Sequence, residues 1–352
     1  MKKNLKTLLC ALLALLMLTT CVAAFAEEPA EVEIVNSYDN TAELIETFPV
    51  INPTPVAEGI GEKIQNRLLT GFENWNRGFD AWKAWGDILY TEDSIYNVHG
   101  ARLALAEYQA AMNVTLQQVN IQMGNFNNMI ICDDWCAIRY DIYTIVGDNT
   151  VPGSVMEFVK FADYGDELGI RVVEGWGGTK DEGYEGMAYF QGEENRAIQL
   201  EQETALIAYV IPETDDLTVK YPVLYPTSDD SEWTEEIRRM LLRDFDAWNQ
   251  GFDVWAANAD NFYTEDALRA LPHDAQLSVS DYKAAIGEQA ETETITRKYF
   301  DSMMISGEWG ATHYRTVSVN NETGETTCAD RMQFFHFTMT DNGLRVDESW
   351  MK

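Results

Sequence analysis

The sequence predicts an α+β protein made of two tandem copies of one domain. Trp75-Asn-Arg-Gly-Phe-Asp-Ala-Trp82 returns 173 residues later as Trp248-Asn-Gln-Gly-Phe-Asp-Val-Trp255, and other aromatic motifs return at nearly the same spacing. Each copy changes from a hydrophobic period near four to a period of two, which indicates helices followed by strands. Each copy is long enough to bury its own core, so the repeat predicts two domains and not a solenoid of short units.

Helices are predicted at the start of each copy. In the first copy one apolar face recurs every three or four residues, at Ile64, Leu68, Phe72, Trp75 and Phe79. Gly78 suits the end of this helix, and Asp80 suits the N-cap of a second, shorter helix. A third helix is predicted around Tyr108, and around Tyr282 in the second copy, where Ser278 begins a capping-box pattern.

Strands are predicted to follow and to form a curved antiparallel sheet around the helices. In the middle strand, Ile138, Tyr140 and Ile142 alternate with other residues, so Tyr140 is expected on the inner face of the sheet. Tyr314 has the same place in the second copy. The terminal strands end in Glu-x-Trp, and these residues are expected to point inward as well: Glu174, Trp176, Glu348 and Trp350.

The start of the chain resembles a secretory signal peptide. Three lysines precede an apolar run that ends in Ala24-Phe-Ala26, the small-x-small pattern at which signal peptidase cuts. We therefore expect residues 1–26 to be removed by cleavage after Ala26, and the protein to be secreted or associated with the cell envelope. An uncleaved membrane anchor is one alternative, and a lipoprotein anchored at Cys21 is another. No membrane insertion is expected after cleavage.

Composition excludes some classes of partner. The chain has 58 acidic and 25 basic residues, and its formal net charge is −33. This charge repels phosphate backbones, so nucleic acid is not expected as a partner. The four histidines show no ligand-pair spacing, so neither a metal nor a cofactor is expected. Cys132 and Cys136 flank a predicted hairpin tip, which leaves open whether they form a disulfide.

The repeat also predicts how the chain is organised. Residues 27–43 are acidic and weakly patterned, and are expected to be flexible. The two domains are expected at 44–179 and 217–352, with a connector at 180–216. The connector contains Ala205-Leu-Ile-Ala-Tyr-Val-Ile211, which is too apolar to be left in water, so it is expected to pack against the protein.

A series of short motifs occurs in the same order in both copies. In the first copy these motifs are Gly78-Phe-Asp80, Tyr90-Thr-Glu-Asp93, Asp133-Asp134 and Glu174-Gly-Trp176. In the second copy they are Gly251-Phe-Asp253, Tyr263-Thr-Glu-Asp266, Gly307-Glu308 and Glu348-Ser-Trp350. The order of helices, hairpin and motifs resembles that of the SnoaL-like family in the nuclear transport factor 2-like superfamily.

The resemblance implies two cone-shaped domains, each enclosing a mostly apolar cavity that is open at one end. Family members use this cavity for acid–base chemistry on hydrophobic carbonyl compounds, or only to bind. A carboxyl group in such a cavity has a raised pKa and can move protons on carbon. Here the stretch after Tyr140 lacks the histidine of cyclase-like members, Trp176 is followed by Gly177-Gly-Thr179, and Trp350 is followed by Met351-Lys352. The usual acid–base positions of the family therefore have no match in either copy.

Candidate site residues follow from the strand directions and from the resemblance. If the protein is an enzyme, Glu174, Tyr140 and Asp93 are expected to carry the proton transfers. For Asp93 the alternative is a turn cap, and for Glu174 it is an ion pair at the rim, for example with Arg171. The residues expected to line a ligand cavity are Tyr90, Tyr108, Trp176, Tyr263, Tyr314, Glu348 and Trp350.

Three hypotheses about function remain open from the sequence. The first is a non-catalytic module that binds a small apolar molecule or a protein partner. The second is an isomerase, cyclase or dehydratase acting on a hydrophobic carbonyl compound. The third is a carbohydrate-binding protein that uses exposed tryptophans. The missing acid–base positions favour the first, especially for the second copy, whose middle strand is more polar.

Overall fold

A computed structural model describes residues 32–98, 101–166, 168–178, 216–229, 231–270 and 276–352. The expected signal peptide, the start of the segment at 27–43 and nearly all of the expected connector lie outside these residues. Among the described residues, no helix combines the length and the apolar character needed to cross a membrane.

The first domain has four helices and a seven-stranded sheet. Its helices are α1 (Thr41–Thr47), α2 (Ile60–Arg77), α3 (Phe79–Leu89) and α4 (Leu105–Leu116). Its strands are β1 (Val50–Pro53), β2 (Tyr90–Val98), β3 (Ala101–Ala104), β4 (Asn120–Cys132), β5 (Trp135–Val146), β6 (Asn149–Asp163) and β7 (Ile170–Gly178). The strand order is β1-β4-β5-β6-β7-β2-β3.

The second domain repeats this arrangement. Its helices are α5 (Asp216–Lys220), α6 (Thr234–Asn249), α7 (Phe252–Phe262) and α8 (Val279–Thr292). Its strands are β8 (Val223–Ser228), β9 (Tyr263–Ala270), β10 (Gln276–Ser278), β11 (Glu293–Ser306), β12 (Trp309–Asn320), β13 (Thr326–Thr340) and β14 (Gly343–Met351). The order β8-β11-β12-β13-β14-β9-β10 matches that of the first sheet. The predicted fold class, two tandem α+β domains, is confirmed.

Both sheets are mixed, which the sequence did not indicate. The central strands are antiparallel as predicted, whereas β1 pairs with β4 and β2 pairs with β7 in parallel. The second domain has the same two parallel pairs, between β8 and β11 and between β9 and β14. The parallel strands come from chain segments that lie before or between the helices, so their pairing depends on long-range packing and not on local pattern.

The junction between the first two long helices of each domain depends on a glycine. Gly78 has φ +119° and Gly251 has φ +110°, in the region that residues with a Cβ rarely adopt. Each glycine ends one helix and precedes the next, as the sequence predicted. Ser278 also acts as predicted, because its Oγ accepts a hydrogen bond from the backbone N–H of Asp281 at 3.1 Å.

The end of the expected flexible segment is packed against the first domain. Asn74 of α2 exchanges two hydrogen bonds with the backbone of Val35, at 2.9 and 2.7 Å. The hydroxyl of Tyr38 donates to the carbonyl of Leu168 at 3.3 Å, and α1 begins at Thr41. The expectation of flexibility is therefore wrong for the described residues 32–43, because buried polar side chains of α2 hold this segment.

The helices cover one face of each sheet and form a separate core there. In the first domain this core includes Leu44 of α1, Ile64 and Leu69 of α2, and inward residues of β5 such as Ile138 and Tyr140. In the second domain the equivalent core contains residues of α6, α7 and the inner face of β12. We call the helix-covered face of each sheet the inner face.

The outer faces of the two sheets pack against each other. One apolar cluster joins Ile130, Trp135 and Phe158 of the first domain to Met304 and Trp309 of the second. The same surface is used by both copies, as in an isologous dimer, but here within one chain. Strands β4 to β6 and β11 to β13 are therefore apolar on both faces.

Cys132 and Cys136 lie on opposite faces of the first sheet. Cys132 belongs to the interdomain cluster, and its Sγ lies 3.6 Å from the carbonyl oxygen of Ile305. Cys136 belongs to the inner core of the first domain. Both are free, because their side chains point away from each other across the sheet.

Candidate functional site

Because of a β-bulge, side chains of the terminal strand β7 point to other faces of the sheet than predicted. The pairing of β6 with β7 shifts between Lys160 and Phe161, whose partners are Glu174 and Val172. The extra residue reverses the alternation of β7. Val172 consequently lies in the inner core, while Trp176 belongs to the interdomain cluster. The inward direction predicted for Glu174 and Trp176 is wrong.

Glu174 forms an ion pair on the outer side of the sheet. Its Oε1 accepts hydrogen bonds from Arg102 Nη1 and Asn97 Nδ2, both at 3.0 Å. This is the rim ion pair that was the alternative for Glu174, although the partner is Arg102 and not Arg171. Since Arg102 is exposed, the pair contributes little to stability.

The second copy has a bulge at the same place. The pairing of β13 with β14 shifts between His336 and Phe337. Glu348 is exposed, and Trp350 stacks on Trp309 with 5.9 Å between ring centroids. Neither residue reaches the inner face, so the inward direction predicted for this pair is also wrong.

Asp93 lies outside both domain interiors. It is exposed, as is Asp266 in the second copy. The neighbouring Ser94 organises the start of β2, because its Oγ accepts from the N–H of Thr91 and donates to the carbonyl of Val172, both at 2.7 Å. Asp93 therefore does not lie where it could transfer a proton inside the domain.

The inner face of the first sheet carries a buried carboxyl group that the sequence analysis missed. Glu157 of β6 points towards the helices, and its Oε1 accepts hydrogen bonds from two tyrosines. The hydroxyl of Tyr96 lies at 2.5 Å and that of Tyr140 at 3.0 Å. Of the three residues predicted to be catalytic, only Tyr140 contacts this group.

Burial raises the pKa values of the ionisable groups in this cluster. Desolvation raises the pKa of Glu157, and the hydrogen bonds from Tyr96 and Tyr140 act in the opposite direction because they stabilise the carboxylate. The pKa values of both tyrosines are raised, first by burial and then by the nearby charge of Glu157. The hydroxyls therefore remain protonated and serve as hydrogen-bond donors.

Part of this cluster remains open to a ligand. Glu157 is only partly buried, and its Oε2 accepts no hydrogen bond from the described residues. The hydroxyl of Tyr90, a predicted cavity residue, also lacks a hydrogen bond with the described residues, whereas Tyr108, another predicted cavity residue, is hydrogen-bonded to Tyr96. The ring of Tyr108 stacks on that of Tyr96 with centroids 4.3 Å apart. Glu157 Oε2 and the Tyr90 hydroxyl are thus unpaired polar atoms beside an aromatic wall.

Two glycines of β7 leave room for the side chain of Tyr96 to reach the carboxylate of Glu157. A Cβ on Gly175 would lie 2.5 Å from the ring of Tyr96. A Cβ on Gly177 would lie 2.6 Å from its hydroxyl and 3.0 Å from Glu157 Oε1. Because both contacts are too short for any side chain, glycine is required at these positions.

The corresponding residues of the second domain differ in charge. The pairing of β12 with β13 places Gln333 where Glu157 lies in the first domain. The pairing of β9 with β14 places Arg269 and Ser349 where the first domain has Tyr96 and Gly175. The second interior therefore has no carboxyl group at this position and carries a guanidinium instead.

Two predicted cavity residues, Tyr263 and Tyr314, lie in this second interior. The hydroxyl of Tyr263 accepts a hydrogen bond from Arg269 Nη1 at 3.1 Å. Tyr314 belongs to the inner core of its domain, as Tyr140 does in the first. The prediction that the second copy lacks an acid–base carboxyl group remains a prediction about activity, and the geometry is consistent with it.

An ion cluster lies on the outer face of the second sheet. Among the described residues, Asp301, His313 and Asp330 form the one group whose ligating atoms all approach within 4.8 Å of one another. Arg315 Nε lies 3.3 Å from a carboxylate oxygen of Asp301 and 3.4 Å from one of Asp330. One guanidinium offsets only one of the two carboxylate charges, and both ring nitrogens of His313 are buried without a hydrogen-bond partner. The expectation that the protein holds no metal stays a prediction.

A cleft of about 490 Å³ is lined by both domains. Trp350, which was predicted to line the cone, borders this cleft instead. The guanidinium of Arg139 lies 4.0 Å from the centroid of the Trp350 ring. The other residues that line the cleft are mostly polar. The cleft therefore differs in chemistry from the aromatic interior of each domain.

Several solved structures resemble parts of this chain. No family model and no curated protein matches the chain. A putative polyketide cyclase from Bacillus cereus is 16% identical over 40% of this chain and 91% of its own, with a TM-score of 0.32. A putative polyketide cyclase from Streptomyces antibioticus is 14% identical over 33% and 89%, with a TM-score of 0.29.

A nuclear transport factor 2-like superfamily protein from Salmonella enterica is 12% identical over 34% of this chain and 88% of its own, with a TM-score of 0.28. Each likeness covers about the length of one repeat. At these identities the likeness concerns the fold alone.

Proposed function

We propose that this protein is an exported binding module whose first domain holds a small, largely apolar ligand with one hydrogen-bond donor. The observation that supports this most directly is the free Oε2 of Glu157, inside a wall of aromatic residues. When the carboxylate is ionised, Oε2 is an acceptor, so a ligand hydroxyl or N–H would satisfy it. Export rests on the signal-peptide pattern at residues 1–26.

A small ligand fits the geometry better than the other partners considered. The outer faces of the two sheets cover each other, so the largest apolar surface of each domain is already occupied. All ten tryptophans lie in the described residues and none of them is exposed, so there is no row of exposed tryptophans for a sugar. The interior of the first domain offers an apolar site with an unpaired carboxylate oxygen.

The proposal predicts a preference for a donor-bearing ligand that depends on Glu157. We expect the full-length mature protein to bind 2-naphthol more tightly than naphthalene, measured by ligand fluorescence. In Glu157→Gln an amide N–H₂ replaces the acceptor, so binding of 2-naphthol should weaken by about tenfold while that of naphthalene stays the same.

Glu174→Gln is the matched control, because it makes the same chemical change on the outer face of the same sheet. It should leave both affinities unchanged. Equal losses in the two variants, or no preference for 2-naphthol in the wild type, would contradict the proposal.

A second candidate function is proton transfer on an unsaturated ketone. The observation that favours it is a carboxyl group whose pKa is raised by burial and whose second oxygen is free. In such a reaction Glu157 removes a proton from the carbon between the carbonyl and the double bond and returns it to the far alkene carbon. The hydroxyl of Tyr90 is the available donor to the enolate oxygen.

This second function predicts that the chain converts a β,γ-unsaturated cyclic ketone to its conjugated isomer, followed by ultraviolet absorbance. Glu157→Gln should lower kcat by at least about a hundredfold, since it removes the base. Glu174→Gln should leave kcat unchanged. Turnover that survives Glu157→Gln would exclude Glu157 as the base.

A further inference from the structure

Arg269 is the most deeply buried charged side chain of the second domain. It is 1% exposed. Its Nη1 donates to Tyr263 at 3.1 Å and to Ser349 at 2.9 Å, and its Nη2 lies 3.4 Å from the sulfur of Met351. Its Nε is sealed from open space and has no partner. All of its partners are neutral.

No carboxylate of the described residues forms an ion pair with Arg269. Asp244, the buried acid that acts on Arg269 from a distance, is already engaged by Arg297, with an N···O distance of 2.7 Å. Among the described residues, the second interior thus holds two guanidinium groups and one carboxylate. An isolated buried charge is costly, and arginine does not lose its proton to avoid this cost. The described part of the second interior therefore has one more positive charge than negative charges.

Further hydrogen-bond donors surround the guanidinium. The ring of Tyr282 lies beneath Arg269, with 4.4 Å between the guanidinium carbon and the ring centroid. The hydroxyls of Tyr282 and Tyr314 make no hydrogen bond with the described residues, although each tyrosine is only 3% exposed. The amide group of Gln333, which is also 3% exposed, makes no hydrogen bond with the described residues either.

We propose that the second domain binds a small organic carboxylate with an apolar body, held by Arg269. The carboxylate supplies the missing negative charge and accepts hydrogen bonds from the free donors of Tyr282 and Tyr314. The inner core around them is rich in phenylalanine, including Phe245, Phe262 and Phe335. These rings suit an apolar ligand body better than a fully hydrated anion such as phosphate.

The first domain selects against the same ligand. Glu157 lies where the second domain has Gln333, and Tyr96 lies where it has Arg269. A carboxylate ligand would meet the negative charge of Glu157 there without a buried cation to balance it. The two interiors are therefore expected to take ligands of opposite hydrogen-bonding character. This proposal stands independently of the one made for the first domain.

Benzoate is the probe for this site, and benzamide is its neutral counterpart of the same shape. With the full-length mature protein, isothermal titration should detect benzoate binding, and benzoate should raise the melting temperature in a concentration-dependent way. Benzamide should bind at least about tenfold more weakly, because it cannot neutralise Arg269. Absence of benzoate binding, or equal binding of the two probes, overturns the proposal.

Arg269→Gln tests the residue. It should weaken benzoate binding by at least about tenfold, whereas Glu174→Gln on the outer face of the first sheet should leave it unchanged. The double variant Tyr282→Phe, Tyr314→Phe keeps the rings and removes the free hydroxyls. It should weaken benzoate binding severalfold even if Arg269→Gln fails to fold. Undiminished benzoate affinity in the tyrosine variant, or in a folded Arg269→Gln protein, overturns the proposal.

Discussion

Asp244→Ala is expected to lower the free energy of unfolding of the protein by about 3–5 kcal/mol. Asp244 and Arg297 are 6% exposed, and their ion pair has an N···O distance of 2.7 Å. The other carboxylate oxygen of Asp244 accepts a hydrogen bond from Trp255 Nε1 at 3.2 Å. Removing the carboxylate leaves the guanidinium of Arg297 buried without a counter-charge and leaves the indole N–H unpaired. Urea unfolding followed by circular dichroism measures the loss.

Asp246→Ala is the control for this prediction, because Asp246 lies on the same helix and also forms an ion pair. Its partner, Lys220, is exposed, so the variant should lose no more than about 1 kcal/mol. A cost for Asp244→Ala as small as that of the control would show that the buried pair contributes little.

A rescue variant separates the lost charge from the lost packing. The pairing of β4 with β5 places Met123 in the first domain where the second domain has Arg297. Arg297→Met, added to Asp244→Ala, removes the uncompensated cation and restores an apolar side chain of similar length. Most of the lost stability should return, since an apolar replacement for a buried ion pair is often neutral. A double variant no more stable than Asp244→Ala would assign the loss to packing.

Trp135→Ala is expected to destabilise the protein by about 3–5 kcal/mol, although Trp135 lies in the core of neither domain. The residue is 2% exposed, and its ring stacks on Trp176 with 5.3 Å between centroids. Across the domain interface its centroid lies 4.6 Å from that of Tyr225. The variant should weaken the contact between domains, so limited proteolysis should cut between them sooner than in the wild type.

A double-mutant cycle with Tyr225→Ala isolates the contribution of the interface. Because the two rings touch, their substitutions should be coupled by about 0.5–1.5 kcal/mol. Strictly additive effects would mean that Trp135 stabilises only its own sheet.

The order of elements and the tandem organisation were predictable because they depend on local periodicity. Inner-face residues of the central strand, such as Tyr140, were predictable for the same reason. The direction of Glu174 was not, because a single extra residue in β7 reverses every side chain beyond it. Nothing in the local sequence distinguishes such a bulge from a regular strand.

The buried acid left a signal in the sequence. Glu157 interrupts the apolar alternation of Val155, Val159 and Phe161 in β6, and a single charge on an apolar face is unusual. The repeat does not point to this acid, because the second copy has Gln333 there. It does not point to Arg269 either, since the counterpart of Arg269 is Tyr96. The residues that differ between the copies form the candidate sites.

The tethering of two such domains through their sheets has an evolutionary consequence. In a homodimer built on this interface, every substitution would appear in both subunits, and a buried cation in one interior would be matched by a buried cation in the other. A single chain removes that constraint, because each half mutates alone while the contact at Trp135 and Trp309 keeps them paired. An acidic interior beside a cationic one, with Glu157 in one half and Arg269 in the other, is a combination that only the fused pair can evolve.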